Sequence, residues 1–239
     1  MSSKVKSTPW VGDPLPRGRH KLPRETVRAS QRERLLRAMG ELVGERGYEA
    51  TTVPDVIAAA RVSSNTFYGL FDDKVDCFIA LCEQLGDELF DRLASVSDEP
   101  ETLDAALAAL DEGIRVYLSW WTDQPALARS YFVELPVAGK RAIEERERQY
   151  RRFEEIHRRI AERARALYDE APPLRAVDVT ASVVLTTELV AREVRAGRVE
   201  QLAEIENDLR YMLIKLLVGD RAAAEATAAP ARAPDATRA

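Results

Sequence analysis

The chain is poor in the groups from which most enzymes and metal sites are built. It holds two cysteines and two histidines in 239 residues. His20 and His157 are too few for a histidine-rich metal centre, and no segment has metal-ligand spacing. Cys77 and Cys82 stand five apart on one predicted helix, about 7.5 Å along its axis, beyond disulfide reach. They read as small buried hydrophobes, not as a redox pair. No nucleophile–base motif and no glycine-rich phosphate loop is present. That leaves no catalytic residue to nominate and no metal or other cofactor to expect. No apolar run approaches the roughly 18 residues needed to span a membrane, and the N-terminus lacks the apolar core of a secretory signal. The expectation is a cytoplasmic protein that is not an enzyme. Convincing strands and internal repeats are missing as well.

What is present points to helices. The composition, 46% hydrophobic and 31% charged and rich in Ala, Leu, Glu and Arg, is that of an all-α fold. The length is enough to bury a real core. The net charge of −5 conceals an asymmetry. Residues 1–40 carry ten Lys or Arg against three acids, a net of +7, so −12 is left for the remainder. One basic end facing phosphates and an acidic body facing away would account for it.

Residues 1–23, with four prolines and no helical period, read as a flexible basic arm. A helix runs from Arg24 to Arg46 on Leu35, Leu36, Met39, Leu42 and Val43, and Gly47 stops it. Thr52 caps the next helix, with Asp55 three residues on and Pro54 in the first turn. Its buried face is predicted to be Val53, Ile57 and Ala60. A turn at Arg61-Val62-Ser63 follows, then a short helix whose Phe67 and Phe71 point to the core. Asp72-Asp73 opens a longer helix from Lys74 to about Leu93. Two helices joined by a tight turn, packed on a third, are the grammar of a helix-turn-helix at about 52–71, within a DNA-binding domain at 24–94. Beyond a break at 95–101 come amphipathic helices at roughly 101–121, 124–136, 139–169, 173–196 and 199–218. An Ala- and Pro-rich disordered tail is expected at 220–239.

A recognition helix needs short polar side chains at its N-terminus, where the groove floor is nearest. Ser64, Asn65 and Thr66 stand there. Asn can pair with adenine, and Ser and Thr can serve several bases. Tyr68 can reach a phosphate, as can Lys74 at the start of the following helix. Thr52 caps the preceding helix, whose N-terminus can also receive phosphate, and Ser63, the cap of the recognition helix, is counted with the DNA-binding residues. Arg17, Arg19 and Lys21 would follow the minor groove, as basic arms of other helix-turn-helix proteins do.

The segment GYEATTVPDVIAAARVSSNTFYGLFDDK resembles the DNA-binding domain of the TetR family of transcriptional regulators. Gly47, Tyr48, Thr51, Thr52, Ile57, Ala58, Val62, Ser63, Thr66, Phe67, Tyr68, Phe71 and Lys74 carry the likeness over about 50 residues. Two positions depart from the family pattern. Arg61 stands where glycine is usual in the turn. Gly69-Leu70 stand where a large polar residue or His often ends the recognition helix, so base reading rests on Ser64, Asn65 and Thr66.

The resemblance implies a homodimer on a palindromic double-stranded DNA operator, with residues 101–219 as a ligand-binding and dimerisation domain. Helices 173–196 and 199–218 have apolar faces wider than one core contact needs and would form a four-helix interface between subunits. One short helix reads too few bases alone, which also argues for two. The resemblance places a cavity for a small apolar or aromatic effector among the body helices. Tyr117, Trp121, Phe132 and Phe153 are its candidate walls, and His157, Glu188 and Arg192, with Glu134, its candidate polar anchors. The same aromatics could equally be plain core. The expected protein is a ligand-released repressor. A DNA-binding regulator without a small ligand, controlled by a protein partner or constitutive, is the alternative.

Overall fold

The computed structural model describes residues 23–96 and 100–228. The arm residues Arg17, Arg19 and Lys21 lie outside the described residues. All regular elements among the described residues are helical.

Three short-linked helices make the head: α1 (Arg24–Arg46), α2 (Val53–Ala60) and α3 (Ser64–Tyr68). Gly47, at φ +87°, ends α1 in a conformation that side chains resist. The capping box at α2 is complete: the Asp55 amide donates to the Thr52 hydroxyl, and the Thr52 amide donates to the Asp55 carboxylate. Val56 and Ala60 are the residues α2 buries, while Val53 and Ile57 are half-buried. That rotates the predicted face by about one residue. Asp73 caps α4 (Lys74–Ala94), which runs from the head into the body.

The body contains α5 (Leu103–Thr122), α6 (Pro125–Arg129), α7 (Lys140–Ala166), α8 (Ala176–Arg195) and α9 (Glu206–Leu217). The single helix expected at 124–136 is instead α6, one π-helical stretch (Ser130–Glu134) and a 3₁₀ turn (Leu135–Val137). Pro136 supplies the reason: it has no N–H to donate, and its ring crowds the preceding turn. Likewise 199–218 divides into a 3₁₀ segment (Val199–Ile205) and α9. The predicted tail needs a larger correction. Residues Asp220–Ala228 form α10, with Ala222 and Ala223 buried and Arg221 paired with Glu170 and Glu225. Alanine is the best helix former, and here it also finds a surface to cover.

The buried apolar side chains of head and body form one continuous core. Its seam lies where α1 crosses α6. A Cβ on Gly40 would meet Leu127 Cδ2 at 2.5 Å, and one on Gly44 would meet the Ala126 carbonyl oxygen at 2.6 Å. The two glycines let the backbones approach closely. Cys77 and Cys82 are free and buried, and burial pushes the Cys77 thiol up to about 12, so neither is a thiolate near neutral pH.

Candidate DNA-reading head and body cavity

The turn between α2 and α3 puts Arg61 at φ 52°, ψ 48°, a left-handed residue without glycine's freedom. Such a placement costs on the order of 1 kcal/mol. Offsetting it, Arg34 of α1 donates to the carbonyls of Ala60 (3.1 Å) and Arg61 (3.3 Å). Arg28 does the same for Gly69, at the end of α3 (2.9 Å). These two arginines clamp the C-terminal ends of both helices, where the dipole favours a cation. Sequence reasoning counted them only as charge. Their spacing on α1 does not reveal which carbonyls they reach.

On α3 the outward residues are Ser64, Asn65 and Tyr68, all exposed. Tyr68 is 59% exposed, an aromatic that burial does not explain, and it stands edge-on to buried Phe67 at 5.3 Å. Thr66 is half-buried, and its hydroxyl is 2.9 Å from that of Ser63, which also accepts from the Thr66 amide. Ser63 and Thr66 are therefore partly engaged with each other. Thr52 sits exposed at the N-terminus of α2. Lys74 is placed differently from the free cation expected. Its Nζ donates to the carbonyls of Tyr48 (2.9 Å) and Thr51 (3.0 Å), over the Tyr48 ring. Two of three N–H groups thus hold the corner before α2, and one remains for a phosphate.

That corner is tied to the body as well. The Tyr48 amide donates to Glu134 Oε2 at 2.8 Å, and Glu134 pairs with Arg129. Glu134, offered above as a cavity anchor, is a strut between head and body. It lies in the π-helical stretch, which turns it toward α1.

Inside the body, two adjoining spaces lie along α7. The outer one, about 80 Å³, has Val96, Pro100, Ala106, Arg159 and Arg163 around its mouth. The inner one, about 40 Å³, reaches Tyr117, Phe153, His157, Thr186 and Leu213. They share walls at Leu93, Leu110, Gly113, Ile156 and Ile160. The result is a narrow apolar slot with arginines at its outer end. A Cβ on Gly113 would meet nothing within 4 Å, so the missing side chain is part of the opening.

Of the predicted wall residues, Tyr117 and Phe153 line the slot, stacked at 5.3 Å. Trp121 and Phe132 do not: they pack edge-on at 4.8 Å, with Tyr131 against both, as core. His157 lines the slot and is buried, and burial lowers its pKa to about 3, so it is neutral. Glu188 and Arg192 require correction. Both are exposed on the outer face of α8, with Glu188 paired to Arg195. Thr186, two residues from Glu188 and about 200° around the helix, is the one that faces the slot. Among the described residues no cluster of His, Cys, Asp or Glu could hold a metal ion, and no helix is long and apolar enough to cross a membrane.

A clamped helix-turn-helix with an exposed polar and aromatic recognition surface, joined through α4 to a helical body, defines a DNA-binding regulator. Residues 35–81 match the family model described as bacterial regulatory proteins, tetR family. Residues 35–81 carry the DNA-binding segment of the TetR family of transcriptional regulators. No curated protein matches the chain by sequence. Among solved structures it is similar to the regulator FadR from Bacillus subtilis in complex with stearoyl-CoA, at 21% identity and TM-score 0.66. That match covers 78% of this chain and 97% of that one. It is also similar to SmeT, the repressor of the Stenotrophomonas maltophilia multidrug efflux pump SmeDEF, at 17% identity and TM-score 0.66, over 87% and 97%. A tetR-family regulatory protein from Rhodococcus RHA1 gives 20% identity and TM-score 0.62, over 79% and 97%. At these identities the structures speak for the shared fold.

Proposed function

We propose that the protein is a homodimeric repressor that reads a palindromic operator through α3 and lets go when an apolar ligand with an anionic head enters the body. Ser64, Asn65 and Thr66 contact bases. Tyr68, Lys74 and the N-termini capped by Thr52 and Ser63 contact phosphates. The arm residues Arg17, Arg19 and Lys21 add minor-groove contacts. The outer faces of α8 and α9, where Val177, Val184 and Tyr211 are exposed, pair with a second copy.

The observation that carries this reading is the position of the slot. Leu93, at the end of α4, is a wall of both its parts, while Lys74, at the start of α4, holds the corner of the reading head. A buried water takes roughly 10–15 Å³ of such space, so an inner space of about 40 Å³ admits no sizeable ligand unless helices move apart. A ligand that enters must displace α4 and so favours one arrangement of the dimer over the other, as a switch requires. Arg159, exposed at the mouth, suits an anion, and the slot suits a chain. The FadR fold-relative bound to stearoyl-CoA supports an acyl ligand. The narrowness also favours a second reading, in which the body is filled core and a protein partner controls DNA binding.

Genome-fragment capture followed by footprinting tests the first half, and titration of the captured complex with decanoic acid, decanoyl-CoA and stearoyl-CoA tests the second. A protected palindrome released by one of these probes is expected. Gly113→Leu, which fills the shared wall, should bind the same palindrome and ignore the probe. A palindrome that none of the probes releases leaves the partner-controlled reading. No protected palindrome overturns the regulator mechanism.

A further inference from the structure

We infer that His157 selects the ligand of the body slot, admitting an apolar molecule that carries a hydroxyl or N–H donor within its buried part. The inference rests on the slot being the effector site and adds which chemistry the site prefers.

The Ser182 hydroxyl oxygen lies 2.7 Å from the Val179 carbonyl oxygen. Two oxygens approach so closely only with a hydrogen between them, and a carbonyl has none to give. The Ser182 proton is therefore committed to Val179. His157 Nδ1 lies 2.7 Å from the same Ser182 oxygen. With the serine proton already spent, Nδ1 must carry the hydrogen and donate it. The buried imidazole is neutral, so it has only one N–H. Nε2 is left as a bare lone pair. The ring is edge-on to Phe153 at 4.4 Å and forms part of the inner slot wall.

The neighbouring polar group repeats the pattern. The Thr186 hydroxyl, on the facing helix, donates to the Ser182 carbonyl at 2.8 Å, so toward the slot it can only accept. Tyr117 is the other polar side chain of the inner space, and its hydroxyl can play either part. Two fixed acceptors in an otherwise apolar slot disfavour a plain hydrocarbon, which leaves them unpaired. A donor at the right depth satisfies them. Specificity of this kind is read from a hydroxyl, not from chain length.

The test compares decanoic acid with its hydroxylated analogues, bearing the hydroxyl near the carboxylate, in mid-chain or at the far end. Binding to the full-length protein is followed by calorimetry. One hydroxylated acid should bind roughly 3- to 10-fold more tightly than decanoic acid, the span expected of one neutral hydrogen bond. Its methyl ether, which cannot donate, should lose that gain. His157→Phe keeps a ring in the site and should bind all the acids alike. If that variant fails to fold, Ser182→Ala frees the tautomer and should shrink the preference. Equal affinities for decanoic acid and every analogue overturn the inference and leave the slot intact as the effector site. A preference that survives His157→Phe overturns it too. No binding of any acid overturns both.

Discussion

Asn65 and Tyr68 lie three residues apart on α3, and their chemistry predicts different losses. An amide that pairs with one base should matter at one operator position. Asn65→Ala is expected to cost about 1–3 kcal/mol there and to relax the choice of base. A phenol on phosphate has no such preference, so Tyr68→Phe should weaken every operator variant by a similar factor. Binding assays against a library with each position varied would separate them; identical profiles would refute the division into base and phosphate contacts. His157 makes a second residue-scale prediction. Its pKa falls from 6.5 to about 3 on burial. Between those values the unfolded chain takes up the proton and the folded one does not, so stability is full above about 6.5 and is lost as pH falls toward 3. The loss approaches 1.4 kcal/mol per pH unit. Urea unfolding at pH 7 and pH 5 should show the wild type losing about 1–2 kcal/mol more than His157→Phe. Equal losses would mean that another group sets the acid sensitivity.

At the scale of elements, the two glycines Gly44 and Gly113 should respond to alanine with opposite signs. In an unhindered helix the change stabilises by up to about 1 kcal/mol, because alanine has less conformational freedom to lose. Gly113 has open space beside it, and Gly113→Ala should follow that rule. Gly44 has the Ala126 carbonyl oxygen 2.6 Å from the new Cβ, and backbone cannot swing aside. Gly44→Ala should force α1 from α6 and destabilise by roughly 1–3 kcal/mol. Thermal melts of the two variants decide this, and a matching sign would refute the close crossing. The sequence carried the head almost entirely: the caps Thr52 and Ser63, the stop at Gly47 and the pair Phe67 and Phe71 are local signals that act within a few residues. It was less clear in the body. The π-helical stretch, the strut from Glu134 to the Tyr48 amide and the burial of Ala222 and Ala223 depend on partners tens of residues away. Periodicity also could not phase α8, where Glu188 and Thr186 sit two residues apart and face opposite ways.

For the molecule as a whole, two surfaces bear on the switch. On the outer sides of α8 and α9, Val177 (59%), Val184 (47%) and Tyr211 (43%) are exposed, apolar surface that a second copy would cover. Val184→Glu should yield a monomer in sedimentation and lose most operator affinity, since half a palindrome is a weak site. A dimer of unchanged affinity would place the interface elsewhere. The other surface joins α4 to α7. Arg141 pairs with Asp73 and Asp76 near the head, Arg148 with Glu83, and Arg152 with Asp87. Arg152 also covers the Phe90 ring at 4.6 Å. Exposed pairs of this kind add little to stability, about 0–1 kcal/mol each. Their position gives them another part: α7 lines the slot with Phe153, Ile156 and His157, and the same helix grips α4 through these arginines. On the proposed mechanism, a ligand that shifts α7 would pull α4 through the charge pairs as well as through Leu93. Replacing Arg141 and Arg152 together by Gln should leave the melting temperature nearly unchanged and the ligand affinity of the free protein intact. What should fall, by several-fold, is the ratio of operator affinities without and with ligand, because coupling is a separate free energy from either binding step. An unaltered ratio in the double variant would mean that packing at Leu93 transmits the whole effect.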